Sequence, residues 1–74
     1  MQTEDAPAAL ADDMIEGAGP IAKFLFGAQD AKARRKIYHI IEHHDFPSFK
    51  IGGKIYARRT AILAWVAAKE RRAA

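Results

Sequence analysis

Cysteine is absent from the 74 residues, which removes the ligands for disulfide, zinc-thiolate and iron–sulfur chemistry. No apolar run approaches the roughly 20 residues that span a bilayer, so no membrane partner is expected. The start, MQTEDAPAAL, has no basic segment leading into a hydrophobic stretch, and no secretory leader is expected either. Paired carboxylates, a nucleophile beside a base and a phosphate-binding loop are all missing as constellations, so neither enzyme chemistry nor a cofactor is expected. The default expectation is then one small cytoplasmic domain. Half of the residues are hydrophobic, enough for a core, but a domain of this size is marginal and often leans on a partner or on copies of itself.

Positive charge is also missing from one part of the chain. Residues 1–18 contain Glu4, Asp5, Asp12, Asp13 and Glu16 and no lysine or arginine, a charge of −5. Residues 19–74 hold all 12 lysines and arginines against Asp30, Glu42, Asp45 and Glu70, for +8, and the whole chain stands at +3. A basic body behind an acidic leader points to a polyanion, nucleic acid first among them. The alternative is a cationic surface that merely meets water. Residues 1–15, acidic, Ala-rich and without a sustained apolar period, are expected to form a flexible tail; the alternative is a tail that lies over the basic face and competes weakly with DNA. Residues 16–74 are expected to form the domain.

The breaker cluster EGAGP opens a short helix, with Pro20 in its first turn, where a missing N–H costs nothing. In GPIAKFLFG, Ile21, Ala22 and Leu25 share one face, Phe24 lies at its border, and Gly27 suits a left-handed cap. Asp30 then caps a second helix running to about His44. Ala33, Ile37, Ile40, Ile41 and His44 form its core stripe, while Lys32, Arg35, Lys36, His39 and His43 lie opposite, and Arg34 and Tyr38 sit on a flank. Pro47 breaks the pattern, and Phe49, Ile51 and Ile55 alternate with polar residues on either side of Gly52-Gly53, the signal of a two-residue hairpin. Thr60 is a good N-cap for a last helix whose Ile62, Trp65, Val66 and Lys69 share a face beside Leu63.

The expected fold is therefore mainly α with a small β-hairpin, a winged helix-turn-helix: two helices joined by a tight turn, a two-stranded wing, and a C-terminal helix. Such a topology sends the second helix toward a major groove about 12 Å wide. The candidate DNA contacts are Lys32, Arg34, Arg35, Lys36 and His39 on that helix, and Lys50, Lys54, Arg58 and Arg59 around the wing. Gly52 and Gly53 at the tip let backbone approach backbone. His39 and His43 are four residues apart on one face, a metal-like spacing, but no third ligand is evident and no metal is expected. The aromatic residues Phe24, Phe26, Phe46, Phe49, Tyr56 and Trp65 are read as mostly core rather than base-stacking, with Phe26 a candidate surface contact.

At this point the chain resembles a known family. GPIAKFLFG followed by RRKIYHIIEHHDFPSFKIGGKIYARRTAILAWVA looks like the excisionase and AlpA-type winged-helix domain, and is more distantly similar to mercury-resistance-type regulators and small phage terminase subunits. The carrying residues are Ile21, Ala22, Leu25, Ile37, Tyr38, Ile41, Pro47, Gly52, Gly53 and Trp65, within residues 18–68. The chain departs from the family at the turn, GAQDA, and in its acidic leader. The resemblance implies sequence-specific double-stranded DNA binding near the nucleoid of a bacterial or phage-type host. It further implies an excisionase that binds in several copies, bends DNA and directs an integrase, or alternatively a small transcriptional regulator of a mobile element. Without a dimerisation domain, copies are expected to associate head to tail on DNA. A different class, a protein–protein adaptor built on the same fold, remains open.

Overall fold

A computed structural model describes residues 6–73. The elements in order are α1 (Ala6–Asp13), β1 (Met14–Glu16), α2 (Ala18–Phe26), α3 (Ala31–His43), β2 (Ser48–Ile51), β3 (Lys54–Arg58) and α4 (Arg59–Ala73). The described chain is mainly helical and carries one antiparallel sheet of order β1-β3-β2. Local chemistry sets most of the boundaries. Gly27, left-handed at φ 79°, closes α2 by donating its N–H to the Lys23 carbonyl at 2.9 Å. Asp30 opens α3, its Oδ1 accepting from the Ala33 N–H at 2.9 Å. At the other end Asp45 takes φ 58°, a left-handed conformation that Asp tolerates better than most residues, and Pro47 follows. Gly52 and Gly53, at φ 57° and 84°, make the two-residue turn that joins β2 to β3.

The leader is where the structure departs most from expectation. Rather than a flexible tail over residues 1–15, residues 6–13 form α1 and Met14–Glu16 form a strand on the free edge of β3; residues 1–5 of that expected tail lie outside the described residues. The physical reason is an unpaired edge and an unfilled core position. Ile15 pairs with Ala57 and is buried at 4% exposure, while Glu16 faces water. The Gly17 N–H extends the same contact, donating to the Ile55 carbonyl at 2.7 Å.

The core consists of Ile15, Ala18, Ile21, Ala22, Ala33, Ile37, Phe46, Ala57 and Ile62, with Leu25, Ile40, Ile41, Ile55, Trp65 and Val66 packed partly around it. Trp65 meets Phe46 edge-on at 5.1 Å and donates its indole N–H to the His44 carbonyl at 3.0 Å. Three expectations about burial need correcting. His44, placed on the core stripe, is exposed because α3 has already ended at His43. Phe24 lies outside the core, as does Phe26, whose exposure agrees with its reading as a surface residue. Phe49 and Ile51 also lie outside it: the register pairs Lys50 with Ile55 and Ser48 with Ala57, so Ser48 and Lys50 share the core side of the sheet. Phe49 instead stacks on Tyr56 on the other face, ring centroids 5.9 Å apart.

Ile37, fully buried at the centre of this packing, offers a direct test. Ile37→Ala is expected to cost about 2–5 kcal/mol, a large share of the stability of so small a domain. Urea denaturation reads it, and a midpoint equal to the parent's would mean that α3 does not pack as described.

Candidate nucleic-acid interface

The face of α3 turned away from Ala33 and Ile37 is cationic and solvent-exposed. Lys32, Arg35, Lys36, His39 and His43 all lie in solvent there. Lys32 and Arg35 make no hydrogen bond or ion pair among the described residues. Lys36 rests its ammonium 5.3 Å from the centre of the Phe26 ring, which accounts for a surface phenylalanine at the end of α2. Arg34, on the flank, turns back to donate from Nη1 to the Gln29 carbonyl at 2.7 Å and so braces the α2–α3 turn. His39 lies close to both His43 and His44, with ring centroids 4.7 and 5.6 Å apart, at the helix end where positive charge is favoured. Glu42 lies 3.5 Å from the His43 imidazole. Among the described residues no group of three or more His, Asp or Glu side chains is arranged to hold a metal ion.

The cations around the hairpin divide into two sets. Lys50 is exposed and unpaired among the described residues, near a tip where Gly52 and Gly53 present only backbone. The others have partners in the leader. Lys54 meets Glu16 at 3.1 Å. Arg58 donates from Nε to Asp13 Oδ2 at 3.0 Å. Arg59 donates to the carbonyls of Asp12 and, at 3.5 Å, Met14, with its guanidinium 5.7 Å from the Phe24 ring centre. Asp13 also accepts the Thr60 N–H at 2.9 Å and the Thr60 hydroxyl at 2.6 Å. Thr60 is therefore not the cap expected for α4: the strand runs directly into the helix, and the cap comes from Asp13.

Of the candidate contacts, Lys32, Arg35, Lys36, His39 and Lys50 thus face outward, while Arg34, Lys54, Arg58 and Arg59 are drawn to acceptors within the chain. Tyr38, on the flank of α3 and not among the candidate contacts, is 53% exposed and lines an open cleft of about 380 Å³ together with Lys50, Gly53 and Lys54 of the hairpin and Glu16. The one sequence signal for it is an aromatic residue with a polar tip beside a cationic stripe. Asp13 had no local signal at all, since its partners lie 45 and 47 positions away.

The chain matches no family model, no curated protein and no solved structure. Among the described residues, no helix is long and apolar enough to cross a membrane.

The Thr60 hydroxyl, its N–H and the Arg58 guanidinium together hold the Asp13 carboxyl below its ordinary value, against a smaller opposing effect of burial. Glu16 in turn raises Lys54. The depressed carboxyl stabilises the fold fully above the unfolded value of about 3.9. That contribution is lost as the pH falls through the lower folded value, because the unfolded chain then binds the proton first. Asp13→Asn is expected to lower the melting temperature at neutral pH and to flatten the acid limb of the stability curve below about pH 4. Parallel acid limbs for parent and variant would remove Asp13 from this role.

Proposed function

We propose that this chain binds double-stranded DNA as a winged helix-turn-helix, with α3 in the major groove and the β2–β3 hairpin beside it. The observation that carries the reading is the outward cationic face of α3, with Lys32, Arg35, Lys36 and His39 exposed opposite a buried stripe. An α-helix about 10–12 Å across fits a groove about 12 Å wide. The four residues between α2 and α3 are in keeping with a helix-turn-helix connection, and the glycine tip suits close approach to the sugar-phosphate wall. Within this class the resemblance to excisionases favours a sequence-specific protein that binds in several copies, bends DNA and directs an integrase. Transcriptional regulation of a mobile element is the alternative. An excision assay with the integrase of the same element separates the two.

The protein–protein reading has an observation of its own, the outer face of the sheet, where Phe49 stacks on Tyr56 and Ile51 is exposed. The same patch serves contact between copies on DNA better than the leader does, because Asp13 and Glu16 are already matched to Arg58 and Lys54.

Salt decides between the readings. With four lysines and arginines exposed on α3 and the hairpin, log K against log salt should fall with a slope of roughly −4 on duplex DNA. Affinity that ignores salt would favour the adaptor. Arg35→Ala should weaken binding to the cognate site by roughly 1–3 kcal/mol if Arg35 pairs with guanine, and by less if it meets phosphate. An unchanged titration would exclude Arg35 from the interface.

A further inference from the structure

We propose that His39, His43 and His44 form a proton-gated contact for the DNA backbone at the end of α3, so that duplex binding takes up protons and tightens as the pH falls. The inference rests on the DNA-binding reading and names a regulation of that interface. All three side chains are exposed. His39 is the central one, its ring centroid 4.7 Å from that of His43 and 5.6 Å from that of His44. His39 and His43 share the outer face of α3 with Lys32, Arg35 and Lys36, and His44 joins them because the helix ends at His43. Histidine is the side chain whose charge ordinarily changes between pH 5 and 8, while lysine and arginine stay charged throughout that range.

The surroundings make the contact depend on the proton. The last carbonyls of a helix carry partial negative charge, which opposes a phosphate and favours an imidazolium. Neutral rings at this place therefore offer little to a polyanion, whereas protonated rings offer charge and two N–H donors each. In the free protein imidazoliums this close repel one another, and Arg35 and Lys36, one turn earlier on α3, add to the repulsion. The neighbouring acids give modest relief. Glu42 lies 3.5 Å from His43 with both side chains more than half exposed, and Asp45, also exposed, follows in the chain. Of the helices beside α3, α2 has Lys23 as its only charged residue. On α4, Trp65 holds the His44 carbonyl and carries Lys69 5.5 Å from its ring centre. Two exposed acids do not balance three imidazoliums among these cations. A phosphate supplies the missing negative charge, so the complex holds more protons than the free chain, and by reciprocity protons strengthen binding.

The test is a fluorescence-anisotropy titration of a mixed-sequence duplex between pH 5.5 and 7.5 at constant ionic strength. It compares the parent, His39→Gln, the triple variant H39Q/H43Q/H44Q, and H39R/H43Q/H44Q, in which one permanent cation replaces the titrating rings. The hydrogen bonds of His44 within the fold come from its backbone, so these changes leave them in place, and thermal melts at both pH limits check each fold. The parent should bind roughly tenfold more tightly at pH 5.5 than at pH 7.5. The triple glutamine variant should come close to the parent at pH 7.5 and lose most of the gain on acidification, with H39Q in between. The arginine variant should bind more tightly than the triple glutamine variant at both limits. A parent whose affinity does not change with pH, or a triple glutamine variant that keeps the full gain, overturns the proposal while DNA binding stands. A parent protein that fails to bind duplex at low salt overturns the DNA-binding reading and this proposal with it.

Discussion

The Asp13 carboxylate accepts three hydrogen bonds, from the Thr60 N–H, the Thr60 hydroxyl and the Arg58 guanidinium. It lies at the end of α1 and binds the junction where β3 becomes α4, so it joins the first described part of the chain to the last. A negative charge at the start of α4 satisfies an N–H that the helix itself leaves unpaired and complements the helix dipole. Fixing that point sets the register of β1 on β3, with Ile15 opposite Ala57 in the core and Glu16 opposite Tyr56. Much of the arrangement around the hairpin follows from this attachment, including the proximity of Glu16 to Lys54.

The same contacts sort the cations. Among the described residues, four of the candidate lysines and arginines are engaged by acceptors within the chain, three of them by the leader. Of the candidate contacts, Lys32, Arg35, Lys36 and Lys50 remain exposed and unpaired with acids, three on α3 and one on β2. The +8 of residues 19–74 taken alone would overstate the field available to a polyanion, because cations paired with the leader contribute little at a distance. The acidic leader is thus part of the fold and not only a counterweight to the basic body.

Some apolar surface stays uncovered in so small a domain. Leu63 on α4 and Ile51 near the hairpin tip are more than half exposed, and Phe49 and Tyr56 stack on the outer face of the sheet. Chains of this length bury a smaller share of their surface than larger ones do. The outer sheet face is the part of that remainder where aromatic and aliphatic residues lie together on neighbouring strands.

Features governed by neighbours a few residues apart were legible in the amino-acid sequence. Gly27 and Asp30 set the α2–α3 turn, Gly52-Gly53 set the hairpin, and the spacing of Ala33, Ile37, Ile40 and Ile41 set the inner face of α3, leaving its cationic face outward. Each rests on a local backbone preference or a helical period. Three other features depended on the tertiary structure. A three-residue strand is too short for its alternation to stand out, so β1 could be seen only against the edge of β3. Alternation in β2 separates Phe49 and Ile51 from Ser48 and Lys50 but does not say which set faces inward; the burial of Ala57 and its register with Ser48 decided that. The sharing of cations between leader and solvent was decided by contacts across 45 and 47 positions, where charge patterning along the chain carries no information about which acid meets which base.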